Sequence, residues 1–190
     1  MFKLSTPSSG KVYKLVTPAT GLVISVADLK PRIGIFHAEK DVALQSYIEA
    51  ATELAERFTG RQLLAATWEL QLPYWQFEVL LKHFPVTSLT SIKYYDINNV
   101  DITIDLNDSD TVVYTIDVEQ PVIWLRKTLS VFERPDAIRI RFASGYATGT
   151  IPRGIINAIC LIAGALYQNP IDSVENLPKA SINLLRNYRI

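Results

Sequence analysis

The chain has 190 residues and a mass of 21.3 kDa; 48% of its residues are apolar, 20% are charged, and the mean hydropathy is +0.14. That length and composition exclude global disorder and leave room for one domain, or one domain carrying an insertion. Nineteen basic residues balance nineteen acidic ones, which excludes a polycation that wraps nucleic acid, and the single cysteine, Cys160, excludes a disulfide framework.

Residues 1–21 read as an irregular arm, because Pro7, Gly10, Pro18 and Gly21 break any period. The opening run is polar and quickly interrupted, so we expect no signal peptide and a reducing compartment. Ser25 is placed to cap a short helix, with Asp28 three residues on; Pro31 and Gly34 limit its length. From Asp41 to Thr59, Leu44, Tyr47, Ile48, Ala51, Leu54, Ala55 and Phe58 recur at helical steps. Asp41 is a candidate cap and Gly60 a candidate terminator.

The period changes at Thr67. Trp68, Leu70 and Leu72 alternate with Glu69 and Gln71, as in a half-buried strand. Strand-like runs follow at 77–81, 89–95, 102–106, 112–118, 122–125 and 137–142, separated by turn clusters such as Asn98-Asn99. Residues 67–143 therefore form a β-rich antiparallel unit of about five to seven short strands. Helix returns over about 152–168, with Pro152 suited to the first turn and Pro170 ending it. Ala158, Ala163, Gly164 and Ala165 on that helix permit close approach of a neighbour. A short C-terminal helix is expected near Lys179–Tyr188. Helices, strands, then helices define an α+β class, not alternating βαβ units. We read one domain over 1–190, with a helical core at 22–65 and 149–190 and a β-rich insertion at 66–148.

Charge is unevenly distributed. Residues 1–40 hold six bases and two acids, whereas 96–120 hold seven acids and no base. We expect the acidic stretch to be a solvated hairpin region and a poor grip on DNA. Segregated charge suits docking of complementary surfaces.

Little in the sequence points to catalysis. There is no nucleophile elbow, no phosphate loop and no paired-histidine zinc motif. Cys160 lies on an apolar helix face, as a small buried hydrophobe does; a nucleophile there would need His37 or His83 as its base. Asp105-Leu106-Asn107-Asp108-Ser109-Asp110 resembles half a calcium loop, but Asp110 stands where the glycine belongs and Ile116 where the closing glutamate belongs. A solvated turn is the alternative. No cofactor or metal is expected. Tyr74 and Trp75, within Leu72-Pro73-Tyr74-Trp75-Gln76-Phe77, are either a protein-binding anchor or an aromatic corner over the sheet. Lys179, Leu184, Arg186, Tyr188, Arg189 and Ile190 form the second candidate interface; the alternatives are a solvated basic end and a segment folded back on the core. A small enzyme and a ligand-binding module remain as other classes.

Several segments, in order, resemble one family. They are Leu15-Val16-Thr17-Pro18; Ile24 through Lys30; Ile48 through Arg61 with Leu63, Thr67 and Trp68; Pro85 through Tyr94; Ile138 through Tyr146; and Ile151 through Ile155. Together these resemble the head–tail connector (adaptor, head-completion) proteins of tailed bacteriophages and prophages, in the branch labelled as a DNA-packaging protein. The run Lys30-Pro31-Arg32-Ile33-Gly34 departs from the pattern, where a longer helix end is expected. The resemblance implies a non-enzymatic virion protein in a ring beneath the portal, with portal and tail or neck proteins as partners; another phage neck or tail-completion role is the alternative. Double-stranded DNA would pass through without sequence-specific binding, and no membrane would be involved. The implied location is the virion neck, after synthesis in the host cytoplasm, and the implied fold is a helical core with a β-rich insertion.

Overall fold

The computed structural model describes residues 10–115, 121–127, 129–147, 149–169 and 177–190. The chain divides into two compact units, one of residues up to Pro18 with Ala66–Ser144, the other of Ala19–Ala65 with Gly145–Ile190. The first holds all the strands found among the described residues and the second all the helices, which is the expected α+β class.

In the helical unit, the Ser25 side chain accepts the Asp28 N–H (3.1 Å) and caps α1 (Val26–Leu29). A 3-10 turn over Lys30–Ile33 follows and stops at Gly34, whose φ of 74° is left-handed. The long helix is α2 (Asp41–Thr59). Asp41 is not its cap: Lys40 holds that position without a side-chain bond. The Asp41 N–H already bonds the Ala38 carbonyl, so the turn begins earlier, and the Asp41 carboxylate instead pairs with Lys30 at 2.8 Å. Gly60 ends α2 at φ 74°, its N–H bonded to the Glu56 carbonyl, as expected. α3 spans Arg153–Gln168 and α4 spans Lys179–Arg186. Pro152 caps α3 from just outside instead of sitting in its first turn, and the helix already stops at Gln168; Pro170 lies outside the described residues.

The core of this unit collects Leu44, Ile48, Ala51 and Ala55 of α2, Ile155, Ile159 and Ile162 of α3, and Leu185 of α4. Each leucine and isoleucine among them contributes about 1.5–3 kcal/mol by leaving water. Gly164 meets the expected neighbour: a Cβ there would lie 3.1 Å from Ile33 Cγ2.

The β unit contains β1 (Val12–Thr17), β2 (Ala66–Leu72), β3 (Glu78–Leu80), β4 (Val86–Tyr95), β5 (Asp101–Ile104), β6 (Val112–Thr115), β7 (Val122–Leu125) and β8 (Ile138–Ser144). Five strands pair antiparallel in the order β1-β2-β8-β4-β5, and three in the order β3-β7-β6. The registers join into rows across the larger sheet. Tyr13, Leu70, Ile140, Ile92 and Ile104 form one row, on the face that buries the core. Val12, Gln71, Arg139, Lys93 and Thr103 form the next, on the opposite face. This alternation is the pleat expressing the period of two in the sequence.

The reading of 1–21 as irregular is corrected by β1, which pairs with β2 from Val12 opposite Gln71 to Thr17 opposite Thr67. Most of β1 is exposed, as an edge strand can be, so it carries no apolar–polar alternation to read. The strand exists because β2 offers a free edge, which is a tertiary fact.

Candidate functional site

The C-terminal candidate residues lie on and after α4. Leu185 and Ser181 are buried, and Leu184 and Tyr188 pack against the helical core. The Tyr188 ring closes over α3 at Gly154, where an added Cβ would fall 2.8 Å from the phenol oxygen. Arg61, two residues past the end of α2, donates from Nε to the Tyr188 carbonyl at 2.6 Å. The Ile190 N–H donates to the Thr59 carbonyl at 3.0 Å, and the Arg189 guanidinium lies 5.6 Å from the Phe58 ring centre. The segment is thus folded back on the core. Lys179, Arg186, Arg189 and Ile190 remain exposed on it.

Tyr74 and Trp75 belong to the other unit and have different surroundings. Tyr74 is 52% exposed beside a groove of about 580 Å³ lined also by Gly10, Val12, Pro73 and Arg134. Trp75 packs against the sheet core, edge-on to Tyr94 at 6.3 Å. Trp75 is a corner of the sheet, and Tyr74 keeps an open face.

Several acids of the 96–120 stretch shape turns between its strands. Asp96 Oδ1 accepts the N–H groups of Asn98 (2.9 Å) and Val100 (2.8 Å) and shapes the bend from β4 into β5. The Asp105 carboxylate accepts the Asn107 N–H, and that of Asp108 accepts the Asp110 N–H and the Thr111 hydroxyl. Bonding from Val100 holds the Asp96 carboxyl below its ordinary pKa, and the Thr111 hydroxyl does the same for Asp108. Asp101 lies 2.7 Å from Arg139. Asp117 and Glu119 lie outside the described residues. Among the described residues, no group of three or more His, Cys, Asp or Glu is placed to hold a metal ion.

On the face of the larger sheet opposite Leu70 and Ile140, Glu69 is only 4% exposed and receives Arg141 Nε at 2.6 Å. Burial alone would raise its pKa, but the bonds from Gln71 and Arg141 outweigh that and hold it below the ordinary carboxylate value.

Cys160 is buried, and desolvation pushes its thiol pKa up despite the nearby Arg32 guanidinium, so the thiolate nucleophile is disfavoured. It lies in a groove of about 620 Å³ with Arg32, Asn157, Leu161 and Gly164. His83 stacks flat on Trp68 at 3.8 Å, and burial followed by the Lys82 charge lowers its pKa. No helix among the described residues is long and apolar enough to cross a membrane.

Three features were not anticipated from the sequence. Arg61 stands alone after a helix-ending glycine, which is the local sign of its tether. Phe36 and Val42 are almost fully exposed, and no period marks either. The edge strand β1 is the third.

A fold with these helices and strands is shared with chains of GTA particles. The chain is similar, at 21% identity and a TM-score of 0.77, to a chain from the neck of an empty GTA particle computed with C6 symmetry. That match covers 94% of this chain and 95% of the other. A chain from the neck of a native GTA particle computed with C12 symmetry matches at 21% identity and a TM-score of 0.74, covering 94% of each. A chain from the virion of a native gene transfer agent (GTA) particle matches at 22% identity and 0.75, covering 93% of this chain and 94% of that one. No curated protein matches the chain. Residues 23–119 match the phage gp6-like head–tail connector proteins, and the chain belongs to that family. The resemblance drawn from the ordered segments is thereby confirmed, and the protein's role is a structural one in a virion.

Proposed function

We propose that the chain assembles as a ring in the virion neck, contacts the portal on one side and tail or neck proteins on the other, and lets double-stranded DNA pass without reading its sequence. Membership of the head–tail connector family is the observation that carries this reading. The C6 and C12 symmetries in the descriptions of the similar neck particles support a ring. Charge layout supports contact between unlike surfaces, because acids concentrate after Asp96 and bases before Lys40.

The role is non-catalytic in this reading. The Cys160 thiol is held protonated, and His83 is stacked on Trp68. The portal-facing candidates are the exposed residues of the C-terminal segment, Lys179, Arg186, Arg189 and Ile190. Leu184 and Tyr188 support that surface from below by holding α4 to the core. Tyr74 and Trp75 are a candidate contact for a neck neighbour, with Tyr74 the accessible part.

Deleting the gene in the producing strain tests the reading. DNA-filled heads that lack tails are the expected product, and Cys160→Ala should complement as well as wild type. Tailed infectious particles formed without the chain would overturn it.

A further inference from the structure

We propose that neighbouring copies join edge to edge, with β5 of one copy pairing in parallel with β1 of the next, so that the five-stranded sheet continues from copy to copy. This rests on the ring reading above and names the contact that would close the ring. β1 and β5 are the two edges of the sheet, and no strand among the described residues pairs with the outer side of either. Such an edge presents backbone donors and acceptors ready to take a further strand.

Topology sets the direction. Each of the four successive pairings is antiparallel, so β1 and β5 run the same way. Copies related by a rotation therefore bring β5 to β1 in parallel. The contact is heterologous, uses a different edge on each partner, and repeats until the rotation closes. Pairing of β1 with β1 would be isologous and would stop at a dimer.

The edges are chemically complementary. Residues 10–18 carry Lys11 and Lys14 and no acid, while 96–111 carry five acids and no base. Each edge also exposes apolar surface: Val12 at 53%, with Leu15 and Val16, on β1, and Ile97 at 65%, with Val100, on the bend into β5. A lysine on an exposed strand also guards against unwanted pairing. Here the register gives it a specific partner. Extending the row Val12-Gln71-Arg139-Lys93-Thr103 by one copy sets the next Val12 beside Thr103. Two residues further along both strands, the next Lys14 falls beside Asp105, which joins opposite charges across the junction.

The test places Val12→Cys and Thr103→Cys together in a Cys160→Ala chain and examines purified particles on non-reducing gels after mild oxidation. A ladder of covalent oligomers that collapses to monomer on reduction is expected, with no ladder from either single variant. Lys14→Cys with Asp105→Cys gives the same readout if the first pair fails to enter particles. Incorporation of both pairs without a ladder overturns the proposal, as do covalent dimers from Val12→Cys alone. A separate outcome, wild-type chain absent from particles, overturns the ring reading itself and this contact with it.

Discussion

Glu69 and Arg141 face each other across β2 and β8, and the asymmetry of their exposure sets what the pair is worth. Arg141 is about half in water, whereas Glu69 is buried. Arg141→Met leaves the carboxylate buried beside the Gln71 amide that donates to it, and should cost about 1–3 kcal/mol at neutral pH, less than for a fully buried pair. The folded-state pKa of Glu69 lies below its unfolded value, so the pair's stabilisation is complete above the ordinary carboxylate pKa. It is lost as pH falls through the lower, folded value. Urea unfolding at pH 7 and pH 3 should therefore show the gap between wild type and variant narrowing in acid. A second residue-scale contrast concerns two glycines. Gly145 has φ +111°, and a Cβ there would meet the Leu64 carbonyl and fall 2.8 Å from Ala65 Cα; Gly149 has φ +81° with open space around it. Gly149→Ala should cost about 1–2 kcal/mol from backbone strain alone. Gly145→Ala adds a clash with main chain that cannot move aside, so its melting temperature should fall clearly further.

At the scale of elements, α4 decides between the two readings of the C-terminal segment. It buries Leu185 and Ser181 and is tied by Arg61 to the Tyr188 carbonyl and by Ile190 to Thr59. Deleting residues 178–190 should destabilise the helical unit by several kcal/mol, since losing Leu185 alone is worth about 2–5 kcal/mol. Circular dichroism melting measures this, and a truncated chain that melts like wild type would contradict the packing described. Deletion is therefore the wrong probe of portal docking. The triple substitution Lys179→Ala, Arg186→Ala, Arg189→Ala leaves the buried face untouched and should keep the melting temperature within a few degrees. Loss of portal binding in that variant would separate docking from folding.

For the whole molecule, the acidic stretch is both architecture and surface. Asp105 and Asp108 shape turns through oxygens that accept N–H bonds, and asparagine retains such an oxygen. Asp105→Asn, Asp108→Asn and Asp110→Asn together should fold normally and weaken assembly, read as fewer complete particles at unchanged melting temperature. Unfolding of the triple variant would show the charges to be structural.

Much of this protein was legible in its residues because the signals are local. The seven-residue spread of Leu44, Ile48 and Ala51 can bury one face only as a helix, and Ile138, Ile140 and Phe142 alternate with arginines only as a strand. Gly60 and Ser25 mark helix ends through their own backbone and side-chain chemistry. The ordered segments that resemble the connector family are likewise properties of the chain. What tertiary structure alone decided are the partnerships between residues distant in sequence. β1 has no period of its own and forms because β2 supplies hydrogen bonds some fifty residues away. Arg61 reaches Tyr188, and Glu69 is paired by Arg141, across separations no local pattern encodes. Leu184 and Tyr188 looked like surface anchors because an apolar tail reads alike whether it docks on a partner or on its own core. Only the folded chain, with α3 bare at Gly154 where the Tyr188 ring lies, tells the two apart.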